Sequence, residues 1–306
     1  MKRRNVILLP DDLANKIAAG EVVTRPSSAA KELIDNAIDA RARRVEVEIE
    51  GGGSRLIRVV DDGHGMTLAD ARLALVRHAT SKIRHASDLD CIHTMGFRGE
   101  ALPSIAAVSK LTLRTRVDEE DAGWELRVDG GSDIDERPCG CPVGTSVEIS
   151  DLFFNVPVRR KFLRAVSTES AHTSAAVRAA ALAHPDIAWV FRRDGRLGYR
   201  YSATESRAER VAEVLRARSL WFCSASRGPM HIEAYLSSPE RARMGAGGLH
   251  LFVNRRPIVD RGIIRAISSA YGDSLPRGRY PLGAVFITMP PELLDVNVHP
   301  QKTEVR

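Results

Sequence analysis

Two spacings of apolar residues run along this 306-residue chain. Over residues 26–40, Ala30, Leu33, Ile34, Ala37 and Ile38 recur at i, i+3 and i+4, which predicts an amphipathic helix with Pro26 in its first turn. Residues 45–49 alternate instead, residues 56–60 form a largely apolar run, and Gly51-Gly-Gly53 between them predicts a β-hairpin. Thr67 is placed to cap a helix through about Val76, whereas no period holds from His78 to Gly99, which reads as a long loop. A short helix over 100–108 and strands over 109–117, 123–129, 132–138 and 144–150 follow. Helices fit 168–183 and 205–217, with strands over 187–193 and 196–201 between them. A second unit is expected over 206–306, after a first over 1–205, with strands at 219–225, 230–237, 248–254 and 282–288 and a helix at 261–271. This mixed order predicts an α+β chain built as α/β sandwiches rather than a doubly wound parallel sheet.

Composition narrows the classes. The chain is 43% hydrophobic and 27% charged, so a folded core is expected, and no apolar run is long enough to span a bilayer. No membrane partner is therefore expected. The apolar run Val6-Ile-Leu-Leu9 is too short for a secretory signal, and four cysteines make no disulfide framework, so a reducing cytoplasm is the expected setting. The formal net charge is +6. Arg159, Arg160, Lys161 and Arg164 are clustered, and so are Arg255, Arg256, Arg261 and Arg265. Both clusters suit a polyanion, although a solvated surface explains the same charge.

The chemistry concentrates in a few blocks. Neither a G-x-x-x-x-G-K-[ST] loop nor a G-x-G-x-x-G is present, so any nucleotide must be held in another way. Glu32 and Asn36 lie one turn apart on the first helix, about 40° apart around its axis. A carboxylate there can take a proton from water, and an amide oxygen beside it can ligate a hard cation such as Mg²⁺; an ordinary polar pair has the same spacing. Asp61-Asp-Gly-His-Gly65 ends an apolar strand in an acid followed by Gly63 and Gly65, which leave room for a flat ring to approach the backbone. A plain hairpin turn also fits. His78-Ala-Thr-Ser-Lys82 and Gly96-Phe-Arg-Gly-Glu-Ala-Leu102 bracket the long loop, and backbone N–H groups opening a helix favour phosphate oxygens. Lys82 and Arg98 can add charge to that contact, and the two segments together suggest a lid. Cys139-Gly-Cys141 has no partner pair at zinc-site spacing.

Taken in order, Ile17-Ala-Ala-Gly-Glu-Val-Val23, Lys31-Glu-Leu-Ile-Asp-Asn-Ala-Ile-Asp-Ala40, Asp61-Asp-Gly-His-Gly65, Arg77-His-Ala-Thr-Ser-Lys82, Gly96-Phe-Arg-Gly-Glu-Ala-Leu102, Val143-Gly-Thr145, Asp151-Leu-Phe-Phe-Asn155 and Asp295-Val-Asn-Val-His-Pro300 closely resemble the N-terminal half of the MutL family of DNA mismatch repair proteins. The resemblance covers essentially the whole chain. The wider GHKL superfamily shares only the nucleotide-site blocks.

The resemblance implies a Bergerat-fold GHKL ATPase domain followed by a ribosomal-S5-like transducer and DNA-binding domain. It implies Glu32 as the general base, Asn36 as the Mg²⁺ ligand, and Asp61 as the carboxylate that reads the adenine amine. Gly63 and Gly65 match the adenine-side turn, and Thr145 a threonine near the base. Thr80, Ser81 and Lys82, with Gly96, Phe97, Arg98, Gly99, Glu100, Ala101 and Leu102, match the lid and its phosphate contacts. Lys302 matches a second-domain lysine that reaches the γ-phosphate and shares in catalysis, and Arg261 matches an arginine tied to DNA binding. ATP and Mg²⁺ are the implied ligands. Implied partners are DNA read without sequence preference, the mismatch-recognition protein MutS, a downstream repair nuclease or helicase, and a second copy of the chain when ATP is bound. A bacterial, nucleoid-associated setting follows from the same resemblance.

Departures from the family pattern are few: Asp62 stands where Asn is usual, Asp35 where Glu is common, and Val156-Pro-Val where Thr-Pro-Ala is expected. Family members continue beyond the position of Arg306 into a C-terminal dimerisation domain, so the chain is expected to be a fragment. Two other readings compete. A non-catalytic DNA-binding module with a vestigial nucleotide site is opposed by the presence of Glu32, Asn36, Asp61 and Lys302 together. A type II topoisomerase ATPase subunit is opposed by the MutL-specific blocks.

Overall fold

Pro26 presets the first turn of helix α1 (Pro26–Asp39), whose Ala29, Ala30, Leu33, Ile34 and Ala37 are buried as one stripe. The computed structural model describes residues 17–20, 22–82, 95 and 99–293. The stripe packs on an eight-stranded sheet of β1 (Arg44–Glu50), β2 (Leu56–Asp61), β3 (Lys110–Arg116), β4 (Gly123–Asp129), β5 (Asp135–Cys139), β6 (Gly144–Ser150), β7 (Ala188–Arg193) and β8 (Arg196–Tyr201). Its order is β5-β4-β3-β6-β2-β1-β7-β8, and every pair is antiparallel except β1 with β7. Alternation follows from having one covered face: Leu111 and Leu113 of β3 point into the core while Lys110 is exposed.

Thr67 caps α2 (Leu68–Ala74), accepting from the Asp70 N–H at 3.2 Å. After it come α3 (Ala101–Ala106), α4 (Pro157–Lys161) and α5 (Val166–Ala183), which lies beside α1 on the same core. α6 (Arg207–Leu215) is capped by Ser206, and its Val211 and Val214 join that core to Tyr235, Phe252 and Phe286 of a second sheet. This sheet has the order β13-β12-β15-β10-β9, from β9 (Trp221–Arg227), β10 (Met230–Leu236), β12 (Leu249–Val253), β13 (Arg256–Ile258) and β15 (Gly283–Thr288). β11 (Arg243–Met244) and β14 (Arg279–Tyr280) pair separately. α7 (Arg261–Ala270), capped by Asp260, lays Ile263, Ile264 and Ile267 on the second sheet.

The architecture is α+β, as the order of elements predicts. Some bounds differ. The strand expected at 132–138 is Asp135–Cys139 and the one expected at 219–225 is Trp221–Arg227, since pairing with β4 and β10 fixes both. The brief elements α4, β11, β13 and β14 were not anticipated, because two to five residues carry too little periodicity to read. Among the described residues no helix is long and apolar enough to cross a membrane.

Candidate active site

The strand order brings Asp61, at the end of β2, opposite Thr145 of β6, and Thr145 opposite Thr115 of β3. α1 crosses the same region, so β2, β6 and α1 share one cavity of about 1760 Å³, with Thr115 of β3 behind Thr145. Glu32, Asn36, Asp61, Gly65, Thr80, Ser81, Lys82, Gly99, Glu100, Ala101, Leu102 and Thr145 all line it. Gly63 stands behind Asp61, with its N–H donating to Asp61 Oδ1 at 2.9 Å. Gly96, Phe97, Arg98 and Lys302 lie outside the described residues.

Asp61 is the most perturbed acid of the site. Burial pushes its carboxyl up to about 6, and the backbone N–H groups of Gly63 and Thr145 only partly oppose this. Asp62 adds repulsion, but its Oδ1 accepts from the Arg43 and Arg44 N–H groups at 2.7 Å each, so the carboxylate is tied to the start of β1. A buried carboxyl with a free edge suits a ligand that supplies an N–H. Two glycines let neighbouring backbone pack closely around it. Gly65 has φ +68, and a Cβ there would lie 2.0 Å from the Arg116 carbonyl; Gly144 has φ +116, and its Cβ would lie 2.2 Å from the Asp61 carbonyl.

Glu32 is half-buried at the cavity wall, and among the described residues its carboxylate makes no hydrogen bond or ion pair. It is therefore free to accept a proton from water. One turn on, Asn36 Oδ1 accepts from Lys82 Nζ at 2.8 Å, and the same ammonium lies 2.5 Å from Asp39 Oδ2. The position beside Asn36 thus already suits a cation. Thr80 Oγ1 accepts from the Lys82 N–H at 3.1 Å. Gly99, at φ +63, packs against Ala79, where a Cβ would lie 2.3 Å from the carbonyl; this joins the two segments that bracket the long loop. Glu100 pairs with His78 at 3.1 Å and Arg77 at 3.7 Å.

Sequence reasoning missed two residues. Thr115 is fully buried, takes the Met66 N–H at 2.8 Å, donates to the Gly144 carbonyl at 3.0 Å, and lies 3.1 Å from Thr145 Oγ1. Its signal was present: a hydroxyl in phase with Leu111 and Leu113 on an otherwise apolar strand face. Asp39 holds both Lys82 and the Met95 N–H, the latter at 2.9 Å, and stands one turn beyond Asn36.

The basic residues divide. Arg160, Lys161, Arg255, Arg261 and Arg265 are exposed, the last two one turn apart on α7. Arg159 is half-buried, with its guanidinium folded over Gly20, where a Cβ would lie 1.2 Å from Nη2. Arg256 has to be taken out of the expected DNA-facing set. Asn254 and Arg255 turn with φ 47 and 67, which leaves Arg255 at the tip and sends Arg256 inward, 6% exposed.

Residues 24–133 match the family described as histidine kinase-, DNA gyrase B-, and HSP90-like ATPase, and residues 210–306 match the family described as DNA mismatch repair protein, C-terminal domain. The chain is 46% identical to the DNA mismatch repair protein MutL of Syntrophotalea carbinolica, over 99% of this chain and 49% of that protein. It is 48% identical to the MutL of Anaeromyxobacter sp. strain K, over 98% of this chain and 50% of that one. It spans about half the length of these curated relatives. The Aquifex aeolicus MutL ATPase domain complexed with ADP superimposes with a TM-score of 0.68 at 31% identity, over 88% of this chain and 94% of that chain.

Proposed function

This chain belongs to the MutL family of DNA mismatch repair proteins, and on that premise we propose that it is an ATPase that couples nucleotide binding to DNA binding. Residues 1–205 act as the ATPase domain and 206–306 as the transducer and DNA-binding domain. One observation carries the reading: Glu32, whose carboxylate is unengaged among the described residues, shares a cavity with Asn36 one turn away and with the half-buried carboxyl of Asp61.

Asp61 accepts the exocyclic amine of adenine, and Thr145 steadies the same edge of the ring. Glu32 takes a proton from the water whose oxygen attacks the γ-phosphorus, releasing ADP and phosphate. Asn36 Oδ1 is a hard oxygen donor held beside an ammonium, which fits a magnesium ligand. Mg²⁺ bound there with the nucleotide supplies charge neutralisation for the phosphates. Lys82 and the segment around Gly99, together with Gly96, Phe97 and Arg98, serve the phosphates, and Lys302 brings the second domain to the γ-phosphate.

Exposed Arg160, Lys161, Arg255, Arg261 and Arg265 contact DNA through its phosphates, without sequence readout. Nucleotide binding favours association of two copies. The protein works with MutS and a downstream nuclease or helicase, in the cytoplasm.

The test is Glu32→Ala. ATP binding is expected to persist while hydrolysis falls by roughly a hundredfold or more, the share of a general base. Turnover at the wild-type rate, measured as phosphate release, overturns the assignment.

A further inference from the structure

Arg256 belongs to the second sheet by its register opposite Val253, yet its side chain leaves that sheet. The guanidinium is buried, and Asp35 and Asp39 of α1 are the carboxylates that favour its charge. Its Nη1 donates to the Met95 carbonyl at 3.4 Å. Met95 is held from its other side as well, because its N–H donates to Asp39 Oδ1 at 2.9 Å. Asp39 Oδ2 in turn lies 2.5 Å from Lys82 Nζ, which donates to Asn36 Oδ1 at 2.8 Å. A line of polar contacts, passing through the Met95 backbone, therefore runs from the second sheet to the helix that carries Glu32 and Asn36.

The charges along this line compete. Asp35 has Lys31 at 3.1 Å, whereas Asp39 draws on both Lys82 and Arg256. A buried guanidinium is costly unless carboxylates offset it. Removing it strengthens the hold of Asp39 on Lys82, the ammonium that the phosphates require. We propose that Arg256 is a positioning residue for ATP binding: from the second sheet it offsets the charge of Asp39, so that Lys82 can be released to the nucleotide while Met95 and the end of α1 stay held. The proposal rests on the ATPase reading of the cavity.

The experiment measures ATP affinity and the melting temperature for the wild-type chain and for Arg256→Met, Arg256→Lys, Asp39→Asn and Arg256→Met with Asp39→Asn. Arg256→Met is expected to weaken ATP binding about tenfold, the scale of one charge-assisted contact. Arg256→Lys restores most of this, because it keeps the charge. Adding Asp39→Asn to Arg256→Met also recovers affinity, because the competing carboxylate is gone. A purely structural role lowers the melting temperature without this pattern. Wild-type affinity in Arg256→Met, equal losses in Arg256→Met and Arg256→Lys, or additive losses in the double variant each overturn the proposal. Should Arg256→Met fail to fold, Arg256→Gln against Arg256→Lys carries the same comparison. A wild-type chain that binds no ATP overturns the functional reading itself, a failure distinct from the others.

Discussion

Asp61 offers the sharpest test of nucleotide recognition, because burial has moved its titration into an accessible range. Its carboxyl rises from 3.8 to about 6, which corresponds to about 3 kcal/mol of preference for the protonated form. An adenine amine needs the ionised form, since only a carboxylate offers two acceptors and no proton. At pH 7.5 nearly all of the free protein is ready to bind; at pH 5 only about a tenth is, so affinity should fall about tenfold between them. The assay is ADP binding by calorimetry from pH 5 to 7.5 for the wild type and Asp61→Asn, so that ionisation of the phosphates cancels in the ratio. Asp61→Asn should bind roughly tenfold to a hundredfold more weakly at pH 7.5, the cost of mispairing a buried charged hydrogen bond. Its disadvantage should shrink as the pH falls. Stability moves in the same window. The folded chain holds the Asp61 proton up to about pH 6, whereas the unfolded chain releases it near 3.8, so wild-type stability relative to Asp61→Asn falls as pH rises between the two. A wild-type to variant affinity ratio that stays constant from pH 5 to 7.5 refutes both the burial argument and the role of Asp61.

Two further outcomes follow from the same geometry. Thr115→Val removes the acceptor of the half-buried Met66 N–H and should cost about 1–3 kcal/mol in urea unfolding, with weaker nucleotide binding; an unchanged midpoint contradicts the role of this hydroxyl. Arg261→Glu reverses an exposed charge on α7 and should lower DNA affinity while reducing the dependence of log affinity on log salt by about one. A DNA affinity indifferent to that reversal takes Arg261 off the binding surface.

Local pattern made much of this legible. The stripe of α1 places Glu32 and Asn36 together, since both lie on one turn of a helix whose buried side is evident. The strand ending in Asp61, followed by two glycines, was equally visible. What remained hidden depends on distant pairing or on the direction of a long side chain. Thr115 and Thr145 are thirty residues apart and meet only through the register of β3 with β6. Arg255 and Arg256 are neighbours of the same type, and only a turn with two positive φ values separates an exposed guanidinium from a buried one. Arg159 reads as part of a basic run, but the backbone of Gly20 gives it a place to fold against.

Asp61, Thr145 and Thr115 stand in one row across β2, β6 and β3. Because successive side chains of a strand point to opposite faces, the trio is set by counting rather than by proximity. One residue gained or lost within any of the three strands would flip its member of the row to the wrong face, even with every hydrophobic position refilled. The tip Gly51–Gly53, which joins β1 to the far end of β2, is itself fixed: Gly52 and Gly53 are buried, and the Gly51 N–H donates to Asp194 Oδ1 at 2.9 Å. Nucleotide recognition in this fold is thus a matter of parity, intolerant of odd steps in the strands.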